Sequence, residues 1–235
     1  MTLPRLAIAI AVVVTGISFT AIALHAQGSG RSTRPAPRPA AVDTAKLKDP
    51  SRLTEAAPAV FRARFTTNIG VFVIEAHREW APLAADRFYN LVKNGFYNSS
   101  RFFRVLDGFM AQFGLNGDPD IQAAWQSVPL MDEPVTQSNR RGFVTFTRES
   151  VPNSRYTMVF INYKDNSYLD AEGFAPFGQV VTGMDVVDKL YSGYGRSNLP
   201  DQRRIVREGN AYLQQEYPKL DFIRTATLEA SRPTK

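Results

Sequence analysis

Between Phe102 and Phe113 the chain reads as two short apolar strands on either side of Asp107-Gly108. An Asp-Gly pair between apolar runs predicts a hairpin with a tight two-residue turn, so the strands 102–106 and 109–113 should pair antiparallel. Two long polar side chains, Arg104 and Gln112, sit inside these strands among Phe102, Phe103, Phe109, Met110 and Phe113. An apolar floor with one guanidinium at its edge suits a ligand with an apolar body and a carbonyl to hold. Taken alone, the hairpin reads more readily as core, with Arg104 laying its stem on apolar surface and its charge in water. The other segments of the chain decide between the two.

Those segments are mostly strands. Phe61–Thr67 alternates, Asn68-Ile69-Gly70 turns, and Val71–Glu75 completes a second hairpin. Pro82 opens a helix with Leu83, Phe88, Leu91 and Val92 at helical spacing, and Asn94-Gly95 closes it. Residues 115–139 read as a long loop of the kind that often carries function. Strands follow at 142–147, 158–162 and 178–181, separated by a turn at 151–154 and an aromatic-rich loop at 166–177. Gly183 leads into a helix with Met184, Val187 and Leu190 on one face. A polar loop covers 192–202, a third helix is expected over 205–217, and Phe222–Leu228 should be the closing strand. Many strands with two or three separated helices are not a βαβ repeat. Closing them into a barrel capped by helices hides the sheet edges best.

The N-terminus has a different character. Leu6 to Leu24 runs without a charge behind a head carrying Arg5. It is read either as a secretory signal cleaved after about Ala26 or as an uncleaved membrane anchor through residues 6–24. The length of the run favours the anchor. Arg31, Arg34 and Arg38 after the run disfavour an anchor with a cytoplasmic N-terminus. Export to the periplasm or cell envelope is expected on either reading. Residues 1–26 thus form the leader, 27–59 a Pro/Ala/Arg-rich disordered spacer, and 60–235 the folded domain.

Charge and reactive groups narrow the function. The chain holds 28 basic and 22 acidic residues. Arg5, Arg31, Arg34, Arg38, Lys46, Lys48 and Arg52 precede residue 61, against Asp43, Asp49 and Glu55, which leaves 21 and 19 for the domain. A nucleic-acid-binding face on the domain is not expected. There is no cysteine, so disulfides, thiolate catalysis and cysteine metal sites are excluded. The two histidines are His25, in the leader, and His77, in the charged stretch Glu75–Glu79, a poor place for a Ser-His-Asp triad. No cofactor or metal is expected, and the domain is expected to be monomeric.

From about Phe61 to Leu228 the order of motifs resembles the cyclophilins, the peptidyl-prolyl cis-trans isomerases, and in detail their bacterial exported members. The hairpin at Thr67–Glu75 and the helix start at Ala81-Pro82 come first. Gly95-Phe96-Tyr97, Phe102-Phe103-Arg104-Val105 and Gly108-Phe109-Met110-Ala111-Gln112 follow. Asp132-Glu133, Arg141-Gly142, Pro152-Asn153-Ser154, Phe160-Ile161-Asn162, Leu169-Asp170, Phe177-Gly178 and Gly183-Met184 complete the series. The leader, the spacer and residues 192–220 lie outside it. The resemblance implies a mainly β fold, a closed eight-stranded antiparallel barrel capped by helices.

It also implies a site. Arg104 would be the main catalytic group, with Gln112 holding the substrate backbone. Phe109, Met110, Phe160 and Leu169 would form the proline pocket, and Thr147 and Arg148 would present backbone to the substrate. The family usually has histidine at Phe103, glutamine at the substrate-site position Met158, and often tryptophan at Tyr168. A further family histidine is replaced around Gly173-Phe174. The implied partners are Pro-containing polypeptides. Because Met158 replaces an amide with a thioether, a catalytically weak module that binds Pro-containing peptides is the competing expectation.

Overall fold

The computed structural model describes residues 44–230. The charge-free run at 6–24 and residues 27–43 of the spacer lie outside that range. Among the described residues no helix is long and apolar enough to cross a membrane. Eight strands form: β1 (Val60–Thr67), β2 (Val71–His77), β3 (Arg104–Leu106), β4 (Met110–Phe113), β5 (Phe143–Phe146), β6 (Val159–Asn162), β7 (Pro176–Thr182) and β8 (Ile223–Leu228). They make one antiparallel sheet in the order β3-β4-β6-β5-β7-β2-β1-β8. The sheet curls, and its end strands are β3 and β8. The segments just before those end strands meet across the gap. Arg101 bridges Phe222, and the Phe102 amide donates to the Asp221 carbonyl at 3.0 Å.

Alternation sorts the side chains onto two faces. Phe61, Ala63 and Phe65 of β1 point inward, as do Ala111 and Phe113 of β4, Val159 and Ile161 of β6, and Val144 and Phe146 of β5. Rings fill this interior. Phe65 stacks on Phe72 at 4.9 Å, and Phe88 of α1 (Pro82–Lys93) lies 4.8 Å from Phe177. Each such buried ring stabilises the fold by roughly 1.5–3 kcal/mol. The residues between them, Arg104, Met110, Gln112 and Phe160, fall on the outer face.

Three expectations need correction. The β3–β4 turn has three residues, not two. Leu106 pairs with Met110, so Phe109 belongs to the turn, and Gly108 takes φ +64°, open to glycine without strain. A two-residue turn would pair Arg104 with Ala111. The extra residue pairs it with Gln112 instead, and the two polar side chains share a face.

The 115–139 loop contains a helix, α2 (Pro119–Gln126). Asp118 caps it by accepting from the Asp120 and Ile121 amides, and Pro119 starts it. With α1, the single turn α3 (Met184–Val187) and α4 (Gln202–Glu216), the described residues hold four α-helices rather than two or three. Gly209 breaks α4 internally at φ +60°, ψ −145°, where a Cβ would meet the Gly117 carbonyl oxygen at 2.2 Å.

The domain also begins before residue 60. Leu47, Leu53 and Ala57 are buried, and the Leu47 carbonyl accepts from the Trp125 indole at 2.8 Å. Asn90 of α1 exchanges hydrogen bonds with the Glu55 backbone, and Asp86 accepts from the Ala57 amide. The spacer's composition hides a strap of few but well-placed apolar residues.

One ionic knot ties loops to helix. The Glu133 carboxylate accepts from the Leu83 and Ala84 amides at the start of α1, at 2.5 and 3.1 Å. These are orphan donors, since the N-cap Ala81 has no side-chain acceptor. Glu133 also accepts from Arg155 at 2.9 Å, and the side chains are 6% and 1% exposed. Arg155 donates as well to the Met131 carbonyl. Removing one partner of a buried pair leaves the other charge uncompensated. Glu133→Ala should lower stability by about 3–5 kcal/mol, read from the shift in the denaturant midpoint. A loss under about 1 kcal/mol would match an exposed pair instead.

Candidate active site

The outer face of β3, β4 and β6 carries a cavity of about 230 Å³. Cross-strand register sets its floor: Arg104 lies opposite Gln112, and Gln112 opposite Phe160. Met110 is two residues from Gln112 and so shares its face. Leu106, Met110, Phe160 and Leu169 form a small apolar cluster of their own, with Phe109, Phe174 and Leu199 packed against it. Phe174 meets Phe160 edge to face at 5.7 Å.

The polar groups are held at the rim. Arg104 Nη1 donates to Gln112 Oε1 at 3.2 Å. That fixes the other end of the amide, and Gln112 Nε2 donates weakly to the Met158 sulfur at 3.7 Å. Arg104 is half-buried, and its guanidinium carbon is 5.9 Å from the Phe109 ring centroid. Burial, and next the charge of Arg196, draw its pKa below the ordinary arginine value. The Thr147 amide donates to the Met158 carbonyl at 2.9 Å, which continues the β5–β6 pairing past the strand end. Arg148 donates to the Glu172 carbonyl and lies 3.5 Å from Asp132.

Of the residues the sequence singles out, Arg104, Phe109, Met110, Gln112, Thr147, Arg148, Met158, Phe160, Leu169 and Phe174 all line this cavity. Tyr168 does not. It sits on the 3-10 turn Ser167–Asp170 with 56% of its surface exposed, while its neighbour Leu169 turns inward. Glu149, Ser154 and Gln202 line the cavity without having been expected there. Phe103, at the position where histidine is usual, is buried under α4 with Ile205, Leu213 and Tyr217. An apolar ring suits that position, since a buried imidazole would need partners there.

Comparison with known proteins identifies the family. The family model for cyclophilin type peptidyl-prolyl cis-trans isomerase/CLD matches residues 62–209, more than half of the chain. The chain belongs to this family. A peptidyl-prolyl cis-trans isomerase of Acinetobacter baylyi is 38% identical over 146 residues, covering 58% of this chain and 77% of that protein. Peptidyl-prolyl cis-trans isomerase B of Escherichia coli is 32% identical over 167 residues, covering 68% of this chain and 93% of that protein. A solved cyclophilin-type isomerase of Cryptosporidium parvum superposes with a TM-score of 0.54 at 18% identity, over 74% of this chain and 99% of that one. The last likeness bears on the fold alone.

Behind the cavity of this cyclophilin-type chain lies a buried set of amides that sequence reasoning missed. Asn166 Nδ2 donates to the Phe109 carbonyl at 2.9 Å and to Asn162 Oδ1 at 2.8 Å. Asn162 donates to Asn139 Oδ1, and Asn139 to the Phe174 carbonyl and Asp170. The backbones that carry Phe109 and Phe174 are thereby fixed to one another. Burial raises the Asp170 pKa, but hydrogen bonds from Ser138 and Asn139 outweigh it, and the carboxyl titrates below its usual 3.8.

The native state therefore prefers ionised Asp170. Its contribution is full at neutral pH, starts to fall near pH 3.8, and is lost as pH drops through the lower native value. Asp170→Asn should be less stable than wild type at pH 7, and the gap should narrow below about pH 4. Denaturant unfolding at pH 7, 5, 4 and 3 measures this; a gap independent of pH would show that ionisation of Asp170 contributes nothing.

Proposed function

We propose that this isomerase speeds rotation about Xaa-Pro bonds in exported polypeptides, with Arg104 as the catalytic donor and the apolar cavity as the seat of the prolyl ring. Rotation breaks amide resonance, and the barrier is about 18–20 kcal/mol. In the twisted transition state the prolyl nitrogen has a localised lone pair. A donor aimed at it gains more there than in the planar ground state. Phe109, Met110, Phe160 and Leu169 grip the ring and keep water from competing, and Gln112 and Thr147 hold the neighbouring backbone. The observation that carries the reading is the Arg104–Gln112 pair, 3.2 Å apart, at the rim of an apolar cavity. Export is proposed from the charge-free run at 6–24. Intact mass of the exported protein distinguishes cleavage after about Ala26 from retention as an anchor.

The competing reading, a module that binds Pro-containing peptides with weak turnover, is favoured by Met158, whose sulfur offers Gln112 a weaker partner than an amide would. One assay separates them. Cis/trans exchange of an Ala-Ala-Pro-Phe peptide, followed by NMR with the full chain, should be far faster than the uncatalysed tens of seconds. Arg104→Ala should slow it by about 100-fold, the cost of a lost transition-state donor. Equal rates for the two proteins would sink the catalytic role of Arg104. Met158→Gln should lower the KM for the peptide; an unchanged or higher KM would show that the thioether carries no cost.

A further inference from the structure

Residues 192–220 hold none of the sequence motifs that carry the resemblance, although the family model runs on to residue 209, and they reach the cleft at two places. The Arg196 guanidinium carbon is 5.9 Å from the Phe109 ring centroid, the same distance as Arg104's from that ring. At the start of α4, Gln202 lines the cavity. One residue on, Arg203 lines a second recess of about 440 Å³ over Leu115, Met158 and Val206. The two hollows share Glu149, Met158 and Gln202, so they adjoin along one cleft.

The charge of this cleft is unbalanced. Among the described residues no carboxylate lies within ion-pair distance of Arg104, Arg196 or Arg203. Glu149 is the single acidic residue lining either hollow. Arg207, which also lines the second recess, has Glu208 at 3.8 Å, and Arg148 has Asp132 at 3.5 Å. Arg104 and Arg203, each without a countercharge, thus line a cleft whose one carboxylate is Glu149, and the unpaired Arg196 lies 5.9 Å from the Phe109 ring beside it. Arg196 and Arg104 repel one another, and an anion entering between them relieves that repulsion. A prolyl ring seated over Met110 and Phe160 brings the residues beside it along this rim.

We propose that segment 192–220 adds a cationic rim to the cleft, through Arg196 and Arg203, which selects polypeptide segments carrying an acidic side chain next to the proline. The proposal deepens the isomerase reading and rests on it. A carboxylate meeting a guanidinium makes a charge-assisted hydrogen bond. At exposed positions each arginine should contribute about two- to fivefold in selectivity, and salt should weaken the effect.

The test uses the full chain, wild type, Arg196→Gln, Arg203→Gln and the double variant. Four peptides serve as probes: Ala-Ala-Pro-Phe, Ala-Glu-Pro-Phe, Ala-Lys-Pro-Phe and Ala-Ala-Pro-Glu. Exchange NMR gives kcat/KM, and chemical-shift titration gives affinity separately. For wild type in 20 mM salt, Ala-Glu-Pro-Phe or Ala-Ala-Pro-Glu should exceed Ala-Lys-Pro-Phe by about four- to twenty-five-fold, the product of two exposed pairs. The ratio should shrink in each single variant, approach one in the double variant, and fall in 300 mM salt. A variant that is merely misfolded lowers all peptides alike and leaves the ratio unchanged. A wild-type ratio near one, or a ratio that survives in the double variant, overturns the rim. If wild type accelerates no peptide, the isomerase reading fails instead, and the affinities still decide the charge preference.

Discussion

A curled sheet has two faces, and this chain commits one of them wholly to its core. Phe65, Phe72, Phe88, Phe113, Phe146 and Phe177 fill the inside to the exclusion of water. Any chemistry must then sit on the outer face, which a single sheet leaves bare. The strands supply only a floor there: Arg104, Gln112, Met110 and Phe160 in cross-strand register. Walls have to come from segments without a ladder of their own, and the structure draws them from the 3-10 turn at 167–170, from Phe174 and from the start of α4.

Walls without ladders need side chains to hold them. Two buried polar knots do so, and they differ in kind. The Asn139–Asn162–Asn166 chain is mostly neutral and ties together carbonyls that hydrogen bonding between strands does not reach. The Glu133–Arg155 pair is ionic and joins the second half of the 127–139 loop to the start of α1. Neutral amides satisfy one another at modest desolvation cost, whereas the ion pair depends on every remaining lone pair finding a donor. Glu133 meets that demand by doubling as the cap of a helix whose own N-cap residue, Ala81, cannot serve.

Much of this was legible in the sequence, for physical reasons. Strand alternation is a local property, and β1, β2, β5, β6 and β8 lie within a residue or two of their expected bounds. Arg104 and Gln112 stood out because long polar side chains interrupt apolar strands. What escaped depended on distant partners. The strap at 44–59 is polar by composition and folds because α1 and Trp125 offer it places to bind. Helix α2 was hidden by the surrounding Gly, Asp and Pro, although Asp118-Pro119 with Ile121 and Trp125 four apart was a readable start signal. Tyr168 was assigned to the pocket from resemblance, and only the turn geometry shows that Leu169's neighbour faces water, since in a tight turn adjacent side chains diverge. Arg196 and Gln202 carry no local mark at all.

The three-residue turn after β3 places a constraint on how this chain can change over evolution. Space does not limit this turn, since nothing lies within 4 Å of where a Cβ would stand on Gly108, but its φ of +64° favours glycine and Phe109 lines the cavity, which leaves Asp107 the freest of the three. The turn's length cannot vary so freely. Loss of one residue between Leu106 and Met110 would slide β4 against β3 by one position, or force it to turn over. Turned over, Gln112 would enter the aromatic interior while Phe113 faced solvent. Insertions and deletions here are therefore filtered more severely than a substitution of Asp107, and lineages of this enzyme should keep the turn's count along with its glycine.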